Sequence, residues 1–184
     1  DGAEQLISAA KQFKVEPPGS TKIHHDETGF FRYVFETEEA VLDGIKDYMQ
    51  DMPAYNPKFF RVAEPKEPRM PADDLYHLIP FNQKKMYNFD EVLSRLVDGS
   101  EHMEYRPDYG PEIYTGLVKM DGFLVGVIGN RQGFFGEDYP EYAPYAGIGG
   151  KLYRQGLIKM NEFVTHCGRD RVPIIWFQDT SGID

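Results

Sequence analysis

Apolar residues recur at helical spacing in three parts of the chain. Thr37 is a plausible N-cap for a helix that runs to about Met49, and residues 151–169 form the longest helical segment. A shorter amphipathic helix is predicted over residues 1–14. Each of the two longer helices carries an apolar face that we expect to be buried. The positions concerned are Val41, Leu42, Ile45, Tyr48 and Met49 in the first, and Leu152, Leu157, Met160, Phe163, Val164 and Cys167 in the second.

Strands are predicted in the second half of the chain. Residues 112–120 and 123–129 form two apolar runs, and Asp121-Gly122 between them is a pair typical of tight hairpins. Residues 172–177 form a short apolar run of the kind found in buried parallel strands. The order of hairpin, glycine-rich loop at 133–150, long helix and buried strand predicts an α/β fold.

A proline-rich stretch divides the chain. Five prolines fall within residues 52–72, where their fixed φ and missing N–H exclude a regular helix or a central strand. We interpret this stretch as a linker between two domains. Residues 21–35 are predicted to be extended, and a short helical turn is predicted near residues 73–78. Asn88-Phe89-Asp90-Glu91 matches a capping box, which predicts a helix as far as Val97.

Charge and cysteine content exclude several classes of protein. The chain has 30 acidic and 20 basic residues, a formal net charge of −10, whereas nucleic-acid binding depends on Lys and Arg. Cys167 is the single cysteine, which excludes an intrachain disulfide and a cysteine-rich zinc site. His24, His25 and Asp26 are adjacent, but neighbours on an extended segment point to opposite faces, so we expect surface histidines and no metal site. There is no run of 18 apolar residues and no visible signal peptide.

Two glycine-containing turns are the candidates for chemistry. Residues 147–151 (GIGGK) run into the predicted start of the long helix, where backbone N–H groups favour anions. Residues 179–182 (DTSG) follow the last predicted strand, and ligands of α/β sheets bind beyond the carboxyl ends of strands. Backbone donors at these turns suit an oxyanion, but glycines that only shape tight turns remain the alternative. These residues alone indicate no particular reaction.

Several long stretches resemble the biotin-dependent acyl-CoA carboxyltransferases. Residues 88–104 (NFDEVLSRLVDGSEHME), 116–130 (GLVKMDGFLVGVIGN) and 171–182 (RVPIIWFQDTSG) are similar to the C-terminal half of that family's subunits. Within that family, residues 71–89 and 147–164 most resemble the glutaconyl-CoA decarboxylases. Ser181 and Ile183 flank Gly182 where many carboxylases have Pro and Phe, which also favours the decarboxylase branch.

The resemblance implies a fold and a domain organisation. It implies an α/β fold of the crotonase type, a β-β-α superhelix, in a two-domain carboxyltransferase. Residues 1–52 would be the tail of the N-terminal domain, residues 53–87 the interdomain linker, and residues 88–184 the first part of the C-terminal domain. On this interpretation the chain is an incomplete segment, which we expect to be inactive alone.

The resemblance also implies a reaction and the residues that serve it. The carboxylate of glutaconyl-CoA would move to biotin on a carrier subunit and leave crotonyl-CoA, without a protein nucleophile or a metal in this segment. Gly149, Gly150, Lys151 and Gly182 match backbone oxyanion donors, a type of donor fixed in place before charge develops. Lys159 would contact the phosphates of CoA or an acidic partner, and Ile183 would also bind a cofactor.

The family's assemblies supply the expected partners. They are an acyl-CoA thioester, a biotinyl carrier subunit, a sodium-pumping membrane decarboxylase subunit and further copies of the same subunit. We expect a cytoplasmic location, peripheral to the membrane complex. Two alternatives stay open: a beta subunit of a propionyl- or methylcrotonyl-CoA carboxylase, and a non-catalytic assembly module in which the glycine turns are structural.

Overall fold

The computed structural model describes residues 11–12, 16–17, 19–50, 61–82, 84–135 and 147–183. Most of the helix predicted over residues 1–14 lies outside the described residues. Residues 136–146 of the glycine-rich loop and residues 52–60 of the proline-rich stretch also lie outside the described residues. Among the described residues, no helix is both long enough and apolar enough to cross a bilayer.

The structure is built on a mixed four-stranded sheet. Strands β1 (His102–Glu104), β2 (Ile113–Met120) and β3 (Phe123–Asn130) pair antiparallel, and β5 (Ile174–Phe177) pairs parallel with β3. The predicted hairpin is confirmed. Asp121 and Gly122 connect β2 to β3 with φ of 52° and 76°, as a two-residue turn with two positive φ angles requires.

The helices cover both faces of this sheet. α1 (Glu38–Gln50) and the short α2 (Leu75–Leu78) precede the sheet, α3 (Phe89–Leu93) leads into it, and α4 (Arg154–Asp170) connects β3 to β5. Alternate residues of β2 and β3 point to opposite faces, so each strand contributes side chains to two apolar clusters. One cluster consists of Phe89, Leu93, Val97, Tyr114, Val118, Val125 and Val127. The other consists of Tyr105, Ile113, Ile128, Phe163 and Cys167.

The last strand of the sheet corrects one prediction. β5 is parallel to β3, as predicted, but it is not fully buried because it lies at the edge of the described sheet. Its Trp176 side chain is 53% exposed. An uninterrupted apolar run therefore indicated the pairing direction correctly and the burial incorrectly.

Four further predictions on local structure were partly wrong. α1 has the predicted bounds to within a residue, and the Thr37 hydroxyl accepts the N–H of Ala40 at 3.1 Å. Its apolar face is nevertheless exposed, because the described residues do not cover it; Ile45 is 54% exposed. α3 ends at Leu93 and does not reach Val97. A π-helical turn, Ile23–Glu27, occupies the first part of the segment predicted to be extended, residues 21–35.

The fourth correction concerns the start of the long helix. Lys151 and Leu152 do not begin it; they form strand β4, which pairs parallel with β6 (Gly182–Ile183). α4 begins only at Arg154, after the extended Tyr153. This small two-stranded sheet brings the two glycine-containing turns side by side.

The described part of the proline-rich stretch is attached to the second half of the chain. The N–H of Val62 donates to the carbonyl of Gly122 at 2.8 Å, and Arg61 pairs with Asp121 in the hairpin turn. The helical turn predicted near residues 73–78 is confirmed as a 3-10 turn, Ala72–Asp74, followed by α2. The division into two domains and a linker remains a prediction.

Candidate functional site

The loop after β5 lies directly against the glycine turn before β4. The carbonyl oxygen of Gly150 accepts the N–H of Ser181 at 2.7 Å and the hydroxyl of Thr180 at 2.9 Å. Lys151 is the register partner of Gly182, and Leu152 that of Ile183. The structure therefore brings together the residues that the sequence identified as a candidate site.

The backbone N–H groups of Gly149 and Gly150 are engaged within the protein. Gly149 donates to the carbonyl of Gly133 at 2.8 Å, and Gly150 donates to that of Arg131 at 2.9 Å. Neither N–H is available to a ligand in this arrangement, which contradicts the donor role predicted for them. The turn also needs glycine for its shape. A Cβ on Gly149 would lie 2.6 Å from the carbonyl oxygen of Arg131, and Gly150 has a φ of 75°.

The other predicted site residues, Lys151, Gly182 and Ile183, stay candidates. The N–H of Gly182 makes a long hydrogen bond, 3.3 Å, to the hydroxyl of Thr180. Ile183 is 74% exposed, so its side chain is accessible to a ligand. Lys151 is half-buried in β4. Their roles as amide donors or cofactor contacts remain predictions.

A groove beside this loop contains residues that sequence reasoning missed. It has a volume of about 540 Å³. Its lining consists of Met86, Tyr87, Asn88, Phe89, Asp90, Pro111, Arg131, Gln132 and Phe135. Two of these residues connect the groove to the loop after β5, because the Tyr87 hydroxyl and the Gln132 amide both donate to Asp179 Oδ2 at 2.9 Å.

Arg131 fixes the wall of the groove. Its guanidinium donates two hydrogen bonds to Asp90, at 2.6 and 2.9 Å, and two to Glu104, at 2.7 and 2.8 Å. Burial lowers the pKa of Arg131, but these hydrogen bonds outweigh it and hold the pKa above its ordinary value. The Arg131 carbonyl also accepts the N–H of Gly150. Arg131 thus connects a partly buried charge cluster to the glycine turn.

Comparison with known proteins identifies the family. The sequence profile of the carboxyl transferase domain matches residues 3–184. The chain belongs to the carboxyl transferase family. The family predicted from the sequence is therefore confirmed.

The chain differs widely in its sequence identity to individual carboxyl transferases. It is 58% identical over 173 residues to the glutaconyl-CoA decarboxylase subunit alpha of Acidaminococcus fermentans, covering 93% of this chain and 29% of that protein. It is 24% identical over 183 residues to a biotin-dependent 3-methylcrotonyl-coenzyme A carboxylase beta1 subunit of Mycobacterium tuberculosis, covering 98% of this chain and 31% of that protein. The chain spans about a third or less of the length of these relatives.

A solved carboxyl transferase structure confirms the fold. The transcarboxylase 12S structure with methylmalonyl-coenzyme A bound matches with a TM-score of 0.77 and 21% identity, covering 98% of this chain and 33% of that chain. At that identity the likeness shows the fold alone. The predicted α/β fold of the crotonase type is thereby confirmed.

Lys159 is not placed to contact CoA phosphates or an acidic partner, as was predicted for it. Its side chain is fully buried on the inner face of α4, and its Nζ donates to the carbonyl of Arg106 at 3.2 Å. No surface is left for contact with CoA phosphates or an acidic partner, so that prediction is corrected. Burial lowers the pKa of Lys159 to about 7, against the opposing effects of Glu104 and Glu112.

The buried lysine predicts a pH dependence of stability. Its pKa is about 7 when folded and near 10.5 when exposed, so the unfolded chain binds more protons between these values. The contribution of Lys159 to the free energy of unfolding should therefore rise with pH across that window, by up to about 1.4 kcal/mol per pH unit. Urea unfolding between pH 7 and 8 should show this slope, because the opposing effect of Cys167, whose pKa burial raises from 9.0 to about 11, begins above that range. Lys159→Met should flatten the slope.

The control for this measurement is Lys46→Met, at a residue whose side chain is 69% exposed. It should retain the slope of the unaltered chain. Equal slopes in the Lys159→Met variant and the unaltered chain would contradict the assignment. Tyr33 and Tyr87 do not interfere, because their raised pKa values of about 12 reduce stability only above about pH 10, where unfolded tyrosines ionise.

The adjacent histidines do not form a metal site in the structure. His25 Nδ1 lies 2.7 Å from Asp26 Oδ1, and its Nε2 lies 3.6 Å from Asp108 Oδ2. Across the residues that the structure describes, no cluster of three or more His, Cys, Asp or Glu side chains has the geometry to hold a metal ion.

Proposed function

We propose that this chain forms part of a carboxyltransferase subunit that moves the distal carboxylate of glutaconyl-CoA to biotin and leaves crotonyl-CoA. One observation carries the choice of substrate. The chain is 58% identical to the alpha subunit of a glutaconyl-CoA decarboxylase but 24% identical to a methylcrotonyl-CoA carboxylase subunit over similar lengths. The difference favours the decarboxylase branch over the carboxylases.

The groove beside the loop after β5 is suited to a small ring with a polar edge. The rings of Tyr87 and Phe135 line it, and the Gln132 side chain supplies an amide at its margin. Biotin, when bound, supplies a ureido nitrogen that accepts the carboxyl group. In the proposed function this chain binds that ring, excludes water around it and presents the N–H of Gly182. A fixed backbone donor stabilises negative charge without reorganising during the reaction.

The proposal extends to partners and location. It includes a biotin-carrying subunit, a sodium-pumping membrane subunit, self-association and a cytoplasmic position at the membrane complex. The transcarboxylase 12S that shares the fold is described as a hexamer assembly with substrate bound. That precedent supports self-association here, while the Acidaminococcus relative supports the decarboxylase complex.

A chimeric subunit tests the substrate class. This chain would replace the matching segment of the Acidaminococcus alpha subunit, and the purified chimera would be assayed with free biotin and three thioesters. We expect turnover of glutaconyl-CoA with biotin present and little exchange with propionyl- or methylcrotonyl-CoA. A preference for either of the other esters would assign the chain to the carboxylases. No turnover of any ester, with the chimera folded, would favour an assembly module.

A further inference from the structure

The loop after β5 is held in place by a set of long-range polar contacts. Asp179 is at their centre: its N–H donates to Asn130 Oδ1 at 3.1 Å, and its carbonyl accepts Gln132 Nε2 at 3.2 Å. Its carboxylate accepts the Tyr87 hydroxyl and the Gln132 amide on the same oxygen, each at 2.9 Å. We call Tyr87, Gln132 and Asp179 the clamp.

The clamp joins three separate parts of the chain. Tyr87 precedes α3, Gln132 follows β3, and Asp179 follows β5. Beyond Asp179, the loop is also fixed to Gly150 through Thr180 and Ser181. The chain positions Gly182 and Ile183 by fixing residues 179–181 on both sides.

We infer that Asp179 is a positioning residue, held by Tyr87 and Gln132, which sets the loop carrying Gly182 for carboxyl transfer. The carboxylate is used as a hydrogen-bond acceptor for two donors of this chain, not as a charge aimed at substrate. Burial and the hydrogen bond to Asp179 raise the pKa of Tyr87 to about 12, so its hydroxyl keeps its proton and stays a donor. This inference rests on the proposed function for its effect on turnover.

Variants at Asp179 separate positioning from a direct role of charge. Asp179→Ala removes the acceptor and should lower kcat by about 10- to 100-fold, the scale of loss when reacting groups are misplaced by about 1 Å. Asp179→Asn keeps an acceptor oxygen for both donors but removes the charge, so it should retain most of the activity. A loss with Asp179→Asn as large as with Asp179→Ala would overturn the inference.

Tyr87→Phe tests the partner hydroxyl while it keeps the aromatic wall. It should lower kcat by about tenfold with little change in KM. Because both changes remove the same contact, their effects should not add in the double variant with Asp179→Ala. If the losses of kcat in the two single variants add in the double variant, the inferred contact between Tyr87 and Asp179 is contradicted. Tyr76→Phe is the matched control, because Tyr76 is 84% exposed on α2 and should give unaltered turnover.

Amide hydrogen exchange in the same chimera tests the clamp without relying on activity. The N–H of Ser181 is bonded to the Gly150 carbonyl, so its exchange reports the hold on the loop. Asp179→Ala should speed this exchange by on the order of tenfold or more, while the β2–β3 hairpin amides stay protected. Unchanged exchange at Ser181 would overturn the clamp. If Asp179→Ala speeds this exchange in a chimera that shows no turnover, the result would support the clamp and contradict the proposed reaction.

Discussion

Replacing Arg131 with methionine is expected to lower the free energy of unfolding by about 3 kcal/mol. The Arg131 side chain is 14% exposed and donates four hydrogen bonds to Asp90 and Glu104. Methionine fills part of the space but leaves two carboxylates close together without their cation. The partial exposure of Asp90, 35%, keeps the loss at the lower end of the range for buried pairs.

Urea unfolding followed by the fluorescence of Trp176, the single tryptophan, measures this loss. The matched control is Lys46→Met, which breaks an ion pair at 2.9 Å whose side chains are both 69% exposed. That change should cost less than about 1 kcal/mol. Adding Asp90→Asn and Glu104→Gln to Arg131→Met should restore part of the stability. If Arg131→Met cost no more than the control, the cluster would have no role in stability.

Replacing Gly156 with alanine is expected to destabilise the chain by about 1–3 kcal/mol through overpacking. Gly156 lies in the first turn of α4, where alanine has the better helix propensity by about 1 kcal/mol. An added Cβ would overlap Oε1 of Glu112 and lie 2.8 Å from Cγ1 of Ile113. Both neighbours are buried, Glu112 at 0% and Ile113 at 1% exposure, so neither has free space to move into.

Gly168→Ala is the matched control on the same helix. A Cβ at Gly168 meets nothing within 4 Å, so only helix propensity acts there. This change should stabilise the chain by up to about 1 kcal/mol. Urea midpoints of the two variants should therefore move in opposite directions. A stabilising effect of Gly156→Ala would contradict the close packing of α4 on Glu112.

The elements that could be predicted from the sequence depend on residues a few positions apart. Thr37 caps α1, Asn88 accepts the N–H of Asp90 at 2.9 Å at the start of α3, and Asp121-Gly122 makes the hairpin turn. Only half of the capping box forms, because the Glu91 carboxylate pairs with Arg95 at 2.8 Å. Competition from a neighbouring cation is not visible in the motif itself.

Burial was harder to predict because it depends on what lies opposite an element. The apolar spacing of α1 is real, yet its face is exposed among the described residues. Lys159 shows the reverse error, since it was expected to contact CoA phosphates or an acidic partner and is fully buried. A signal was present: Lys159 lies four residues before Phe163 and eight before Cys167, on the same buried face of α4.

The site depends on contacts between residues distant in the sequence. Tyr87 and Asp179 are 92 positions apart, and Gln132 and Asp179 are 47 apart. No local pattern indicates such pairs, so sequence reasoning found the turn that contains Asp179 and missed its partners, Tyr87 and Gln132. It also assigned free N–H groups to Gly149 and Gly150, whose acceptors, Gly133 and Arg131, come from a separate segment.

The fate of the distal carboxylate of glutaconyl-CoA tests the proposed reaction most directly. The chimeric subunit would be incubated with free biotin and glutaconyl-CoA labelled at that carboxylate. The carbon–carbon bond to the carboxylate breaks, a bond from the carboxylate carbon to the ureido nitrogen of biotin forms, and the proton that this nitrogen loses balances the one that crotonyl-CoA gains. We therefore expect label on biotin in step with the appearance of crotonyl-CoA, and neither product without biotin. Label that stays on the thioester, or crotonyl-CoA formed without biotin, would contradict carboxyl transfer as the function of this chain.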